Sequence, residues 1–171
     1  SEKMANLYGQ LPQTRYQLGD SLEGVRLMRE SLSRYREILG PTHRNTLITM
    51  ANLARQLTEA GGAAEAEQLA PSVLGQLDST DAGQRTQYVL TTRTLGGAIL
   101  AQGRAREALP VLARALEMTR HDVGEEQVRT GHAQLSYGSA LLALGRRSEA
   151  EPLIRAATAT LQKHTSDQPR L

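Results

Sequence analysis

Four histidines, His43, His121, His132 and His164, are the side chains of this chain best suited to proton transfer near neutral pH or to metal ligation. They show no metal-ligand spacing, and no cysteine is present to complete a site. No Ser/His/Asp grouping, glycine-rich phosphate loop or carboxylate pair stands out. The expectation is therefore no catalytic residue, no metal and no cofactor. What remains is recognition chemistry. Asparagine and glutamine both donate and accept hydrogen bonds, as a peptide backbone does. The arginine fork suits a carboxylate or a phosphate. The candidates are Asn6, Gln13, Asn52, Arg55, Arg93, His132 and Ser139. The plainer alternative for each of them is a solvated helix face without a ligand.

The elements that would position them follow from an internal repeat. Gly19, Gly61, Gly103 and Gly145 are spaced 42 residues apart. Four residues after each stands a glutamate: Glu23, Glu65, Glu107 and Glu149. Five after stand Gly24, Ala66, Ala108 and Ala150, and eight after stand Leu27, Leu69, Val111 and Leu153. Eight before stand Leu11, Leu53, Leu95 and Tyr137. In the second copy Met50, Leu53, Ala54 and Leu57 make one apolar helix face, which Gly61-Gly62 ends. A second helix restarts near Ala64. Ser148-Glu149-Ala150-Glu151 reads as a capping box, with Pro152 tolerated in the first turn as Pro110 is one copy earlier. The glutamate column falls where a helix dipole favours an anion.

Each copy is thus helix–turn–helix. The expected helices are 4–18, 21–39, 44–60, 63–77, 83–102, 105–119, 125–144 and 147–163. Copy one is the most degenerate, with Arg15 where the others have Leu57, Ile99 and Leu141. On the face of the first helix opposite the core, copy two presents Ile48, Asn52, Arg55 and Glu59. Copy one presents Asn6, Gln10, Gln13 and Gln17. Copy three presents Leu90, Thr94, Gly97 and Ala101 with Arg93 beside them. Copy four presents His132, Ser136, Ser139 and Ala143. The stripe runs from amide-rich to small or apolar.

Composition narrows the function. The chain has 171 residues, 39% hydrophobic and 22% charged, the balance of a folded domain or short repeat array. Only 3% are aromatic, without Phe or Trp, so stacking platforms for bases are scarce. The net charge is +2, lysine occurs only at Lys3 and Lys163, and no basic run appears, so nucleic acid is not an expected partner. No apolar stretch approaches a membrane span. The absence of cysteine fits a reducing compartment, and the expected location is cytoplasmic.

Small residues Ala54, Gly96 and Gly138 stand seven before the turn glycine, and Ala66, Ala108 and Ala150 stand five after it. This resembles the tetratricopeptide signature, in which small residues let the two helices approach closely. The usual period of that family is about 34 residues. The longer one here is similar to the repeats of kinesin light chains. The segment Leu39-Gly40-Pro41-Thr42-His43-Arg44-Asn45-Thr46 resembles their Leu-Gly-x-x-His-Pro-x-Thr connector, with Arg44 in place of the proline. Asn52-Leu53-Ala54 and Glu149-Ala150-Glu151-Pro152-Leu153 match their Asn-Leu-Ala and Glu-Ala-Glu-Pro-Leu.

The resemblance implies an all-α, right-handed superhelical solenoid of about four repeats, approximately 4–43, 44–82, 83–124 and 125–163, followed by a 164–171 tail. It implies a single array whose first helices line a concave groove for a peptide or a partner domain; the start at Ser1, without an initiator Met, gives the expectation of a fragment of a larger protein. Such arrays often follow bacterial serine/threonine kinase domains, and the arginine-rich, lysine-poor composition suits that setting. The alternative is a structural module that forms homo-oligomers through exposed terminal helices.

Overall fold

The computed structural model describes residues 21–166. The expected helix 4–18, the candidates Asn6 and Gln13, and the end of the tail lie outside the described residues. Among the described residues there are seven helices and no strand: α1 (Ser21–Leu39), α2 (Arg44–Glu59), α3 (Ala63–Leu74), α4 (Ala82–Ala101), α5 (Ala105–Val123), α6 (Val128–Ala143) and α7 (Arg147–Ser166). Each packs on its predecessor and its successor. The first helices of successive repeats, α2, α4 and α6, also pack on one another. The backbones of the second helices stand further apart, so the first helices form the inner layer of the solenoid.

Two small-residue columns make the pairs close. Ala66, Ala108 and Ala150 are fully buried. A Cβ on Gly96 would lie 2.6 Å from Leu112, and one on Gly138 would lie 2.8 Å from Ile154. The turn repeats as well. Gly61, Gly103 and Gly145 all have positive φ, between 75° and 88°. The next amide reaches back to Leu57, Ile99 or Leu141, closing each first helix with the same Schellman-type bond.

Two of the longer connectors share a lock. Thr46 Oγ1 donates to the Gly40 carbonyl, and Thr130 Oγ1 donates to that of Gly124, at 2.8 and 2.5 Å. His43 caps α2, its Nδ1 accepting from the Asn45 amide at 3.2 Å. The middle connector differs. α3 stops at Leu74 rather than near 77, because its last amides tighten to three-residue bonds after Pro71 and Gly75. Asp78 then holds Thr80 in a side-chain turn, and Asp81 caps α4. α5 runs on to Val123, where Gly124 ends it, which delays α6 to Val128.

The expected capping box at Ser148 does not form. Arg146 supplies the first helical carbonyl, accepting from Glu149 and Ala150, so Ser148 lies inside the first turn and is exposed. Arg146 then forks onto Glu149 with two bonds of 2.7 Å, as Arg104 does onto Glu107 one repeat earlier. Glu107 and Glu149 of the glutamate column are anchored by these arginines in addition to their place at the helix start.

Candidate functional site

On the inner layer, α2, α4 and α6 border an open cavity of about 160 Å³ lined by Arg55, Thr58, Glu59, Arg93, Thr94, Gly97 and Ser136. Helix periodicity carries Arg55, Thr58 and Glu59 to one side of α2, and Arg93, Thr94 and Gly97 to one side of α4. Gly97 leaves the middle open, since a Cβ there would meet only the Thr58 methyl, at 4.0 Å. The threonine hydroxyls turn inward to their own helices, Thr58 to the Ala54 carbonyl at 2.9 Å and Thr94 to that of Leu90 at 3.1 Å. That leaves the charged groups to set the chemistry.

Arg55 is held by Glu59 with contacts of 3.0 and 3.3 Å, and its pKa is lowered by burial. Burial raises the Glu59 carboxyl, and the Arg93 charge offsets part of that. Arg93 is half-buried, and among the described residues it donates no hydrogen bond and sits in no close ion pair. Burial lowers its pKa first, and repulsion from Arg55 lowers it further, with Glu59 opposing. His132 on α6 is open to solvent on one side. Partial desolvation of its ring and then the Arg93 charge push it below its ordinary value of 6.5. Two guanidinium groups on successive first helices therefore face one carboxylate, and the His132 imidazole on the third feels the Arg93 charge.

The candidates read from the sequence divide as follows. Arg55 and Arg93 both line the cavity, Arg93 having been read as flanking the stripe. His132 is coupled to Arg93 electrostatically but lies outside the lining. Asn52 is half-buried on α2 and Ser139 is exposed on α6, both outside the lining; Ser136 takes the place expected of Ser139. Thr58 was missed because the stripe was drawn through Arg55 and Glu59, and the position between them faces the same side.

A family model for the tetratricopeptide repeat matches residues 3–74 and 88–163. Among solved structures, BtubC (BKLC) from P. vanneervenii is similar with a TM-score of 0.74 at 15% sequence identity. That match covers 98% of this chain and 66% of the other, so the chain spans just under two thirds of that structure's length. A kinesin light chain-type protein from Podosopora anserina with nearly identical TPR-like repeats is similar at 18% identity with a TM-score of 0.46, covering 98% of this chain and 99% of that one. MamA protein is similar at 17% identity with a TM-score of 0.43, covering 100% and 99%. No curated protein matches the chain. The repeat found in the spacing, the packing of small residues and the family match is one and the same, and the chain belongs to the tetratricopeptide repeat family.

Proposed function

We propose that the chain is a non-catalytic binding scaffold that captures an extended acidic peptide in the groove of its first helices. The observation that carries this reading is Arg93, a half-buried guanidinium without a hydrogen-bond partner among the described residues, facing Arg55 and near enough to His132 to lower its pKa. A half-buried cation that no carboxylate fully neutralises is a place for an anion. A peptide carboxylate or phosphate at the cavity would pair with Arg93 and share Arg55 with Glu59. Asn52 and Ser139, further along the same layer, would take backbone groups of the peptide. Hydrogen bonds to a charged group contribute about 1.5–3 kcal/mol each, enough for roughly ten- to hundred-fold in affinity.

The test is a folded triple variant, Asn52→Ala with Arg55→Ala and Arg93→Ala, assayed by fluorescence anisotropy against labelled glutamate-rich, neutral and lysine-rich peptide pools. The parent should prefer the glutamate-rich pool, and the variant should lose that preference while keeping its circular dichroism spectrum. Equal affinity in a folded variant would sink the proposal.

A further inference from the structure

The second helices of neighbouring repeats stand apart, and between α1 and α3 the gap is an open cleft of about 270 Å³ on the outer layer. Its floor is apolar: Leu32 from α1, Leu69 from α3, and Leu53 from α2 beneath them. Leu32 and Leu53 are almost wholly buried, so the apolar surface open to a ligand is chiefly Leu69. The rim is polar. Arg29, Ser33 and Arg36 stand at i, i+4 and i+7 on α1, one stripe about 10 Å long. Glu65 on α3 closes the far side.

The rim charges are unequally served. Arg29 is held by Glu65 at 2.5 Å. Arg36 has only the Met50 sulfur, at 3.1 Å, which is a weak acceptor. Among the described residues Arg36 sits in no ion pair, and the next acid along α1, Glu37, pairs with Arg34 at 3.5 Å. The Ser33 hydroxyl makes no hydrogen bond among the described residues either, whereas Ser31 donates to the Leu27 carbonyl at 3.0 Å. The other outer junctions differ. One repeat on, the counterparts of Arg29, Ser33 and Arg36 are Pro71, Gly75 and Asp78, and Asp78 is engaged by Thr80. Two repeats on they are Ala113, Glu117 and Arg120, and Arg120 pairs with Glu125 at 2.7 Å. A rim cation without an acidic partner is thus a property of this junction, not of the repeat.

We infer that this cleft is a second docking surface, which takes an acidic amphipathic helix of a partner protein. A leucine-sized side chain of that helix seats on Leu69, above Leu32 and Leu53. A carboxylate one turn along accepts from Arg36 and from the Ser33 hydroxyl. Leu32 and Arg36 are themselves four residues apart on α1, so a helix lying alongside matches them with residues four apart. The described residues include no strand edge on which an extended segment could pair. The Arg29–Glu65 end is already neutral, so the partner presents an uncharged residue there. The cleft lies on the layer opposite the groove, so the inference is independent of the groove reading and both sites can be filled at once.

The probe is an alanine-rich helical peptide of about 15 residues, long enough to hold a helix, with one leucine and a glutamate four residues on. In heteronuclear NMR of the full chain it should shift the amides of Ser33, Arg36 and Leu69. Arg36→Gln should weaken binding about ten-fold or more, as expected for one charge-assisted bond. Glu65→Gln, which leaves Arg29 without its carboxylate, should strengthen it. A probe with glutamine for the glutamate, or alanine for the leucine, should bind more weakly to the parent chain. Where Arg36→Gln does not fold, Ser33→Asp places a repelling charge on the same rim and should weaken binding likewise. Shifts confined to Arg55, Arg93 and Gly97 overturn the inference, since the groove would then be the only site. Equal affinity in the parent and a folded Arg36→Gln variant overturns it too, as does the absence of any shift at Ser33 and Leu69 with millimolar probe.

Discussion

Gly96 and Gly97 are adjacent, yet the structure treats a methyl group at the two positions in opposite ways. At Gly96 the added Cβ would lie 2.6 Å from both Leu112 Cγ and Cδ2 in a closed core; at Gly97 it would meet one methyl at 4.0 Å. Gly97→Ala should therefore raise stability by about 0.5–1 kcal/mol through helix propensity. Gly96→Ala should lower it by about 1–3 kcal/mol through overpacking. Urea unfolding of the two variants checks both signs, and a shared sign would mean that the α4 register is wrong. Both glycines were legible in the sequence, one in the small-residue column and one in the groove stripe. Arg93 was only half legible. Its type and helix were evident, but its place in the cavity lining depends on how far α4 turns against α2. Gln56 was not legible at all: it is fully buried where copies three and four have Ala98 and Ala140, and no single column announces it.

At the scale of elements, the columns that repeat in register were the ones that could be read. The turn glycines and the alanines at the start of each second helix fixed where helices break and meet, because each copy repeats the same steric demand. Helix ends were less legible where copies differ. The truncation of α3 depends on Pro71 and Gly75 acting together, and the start of α7 depends on Arg146, whose pairing with Glu149 displaced the expected serine cap. The alanine column yields a test. Ala108 is fully buried in a cluster with Ile99, Leu112 and Ala140. Ala108→Arg should cost several kcal/mol, roughly 3–5, by overpacking a close contact and burying an unpaired charge. A thermal melt like that of the parent would refute the packing described for α4 and α5.

For the whole molecule, pH acts through groups on both faces. His132 has a folded pKa below its ordinary 6.5, so the unfolded chain binds the proton first as pH falls. Its contribution to stability is fully present above 6.5 and declines below it. The carboxyls of Glu67, Glu107 and Glu149 are lowered from 4.5 by hydrogen bonds to Gln102, Arg104 and Arg146, so their contribution is lost only at more acid pH. A denaturation series against pH should show the milder histidine step first, and His132→Gln should remove it. Binding of a glutamate-rich peptide should move the other way. An anion favours protonated His132, so affinity should rise between pH 7.5 and about 5.5 in the parent and stay flat in His132→Gln.

Arg55, Arg93 and His132 belong to α2, α4 and α6, one to each rung of the inner layer. The Arg55 and Arg93 charges repel each other across the α2–α4 junction, and Glu59 offsets part of that repulsion. On the proposed reading, an anion seated beside Arg93 cancels that repulsion, so capture tightens the junction between two neighbouring repeats. Ligand capture and the cohesion of successive repeats are then linked, and an occupied array should resist unfolding better than an empty one.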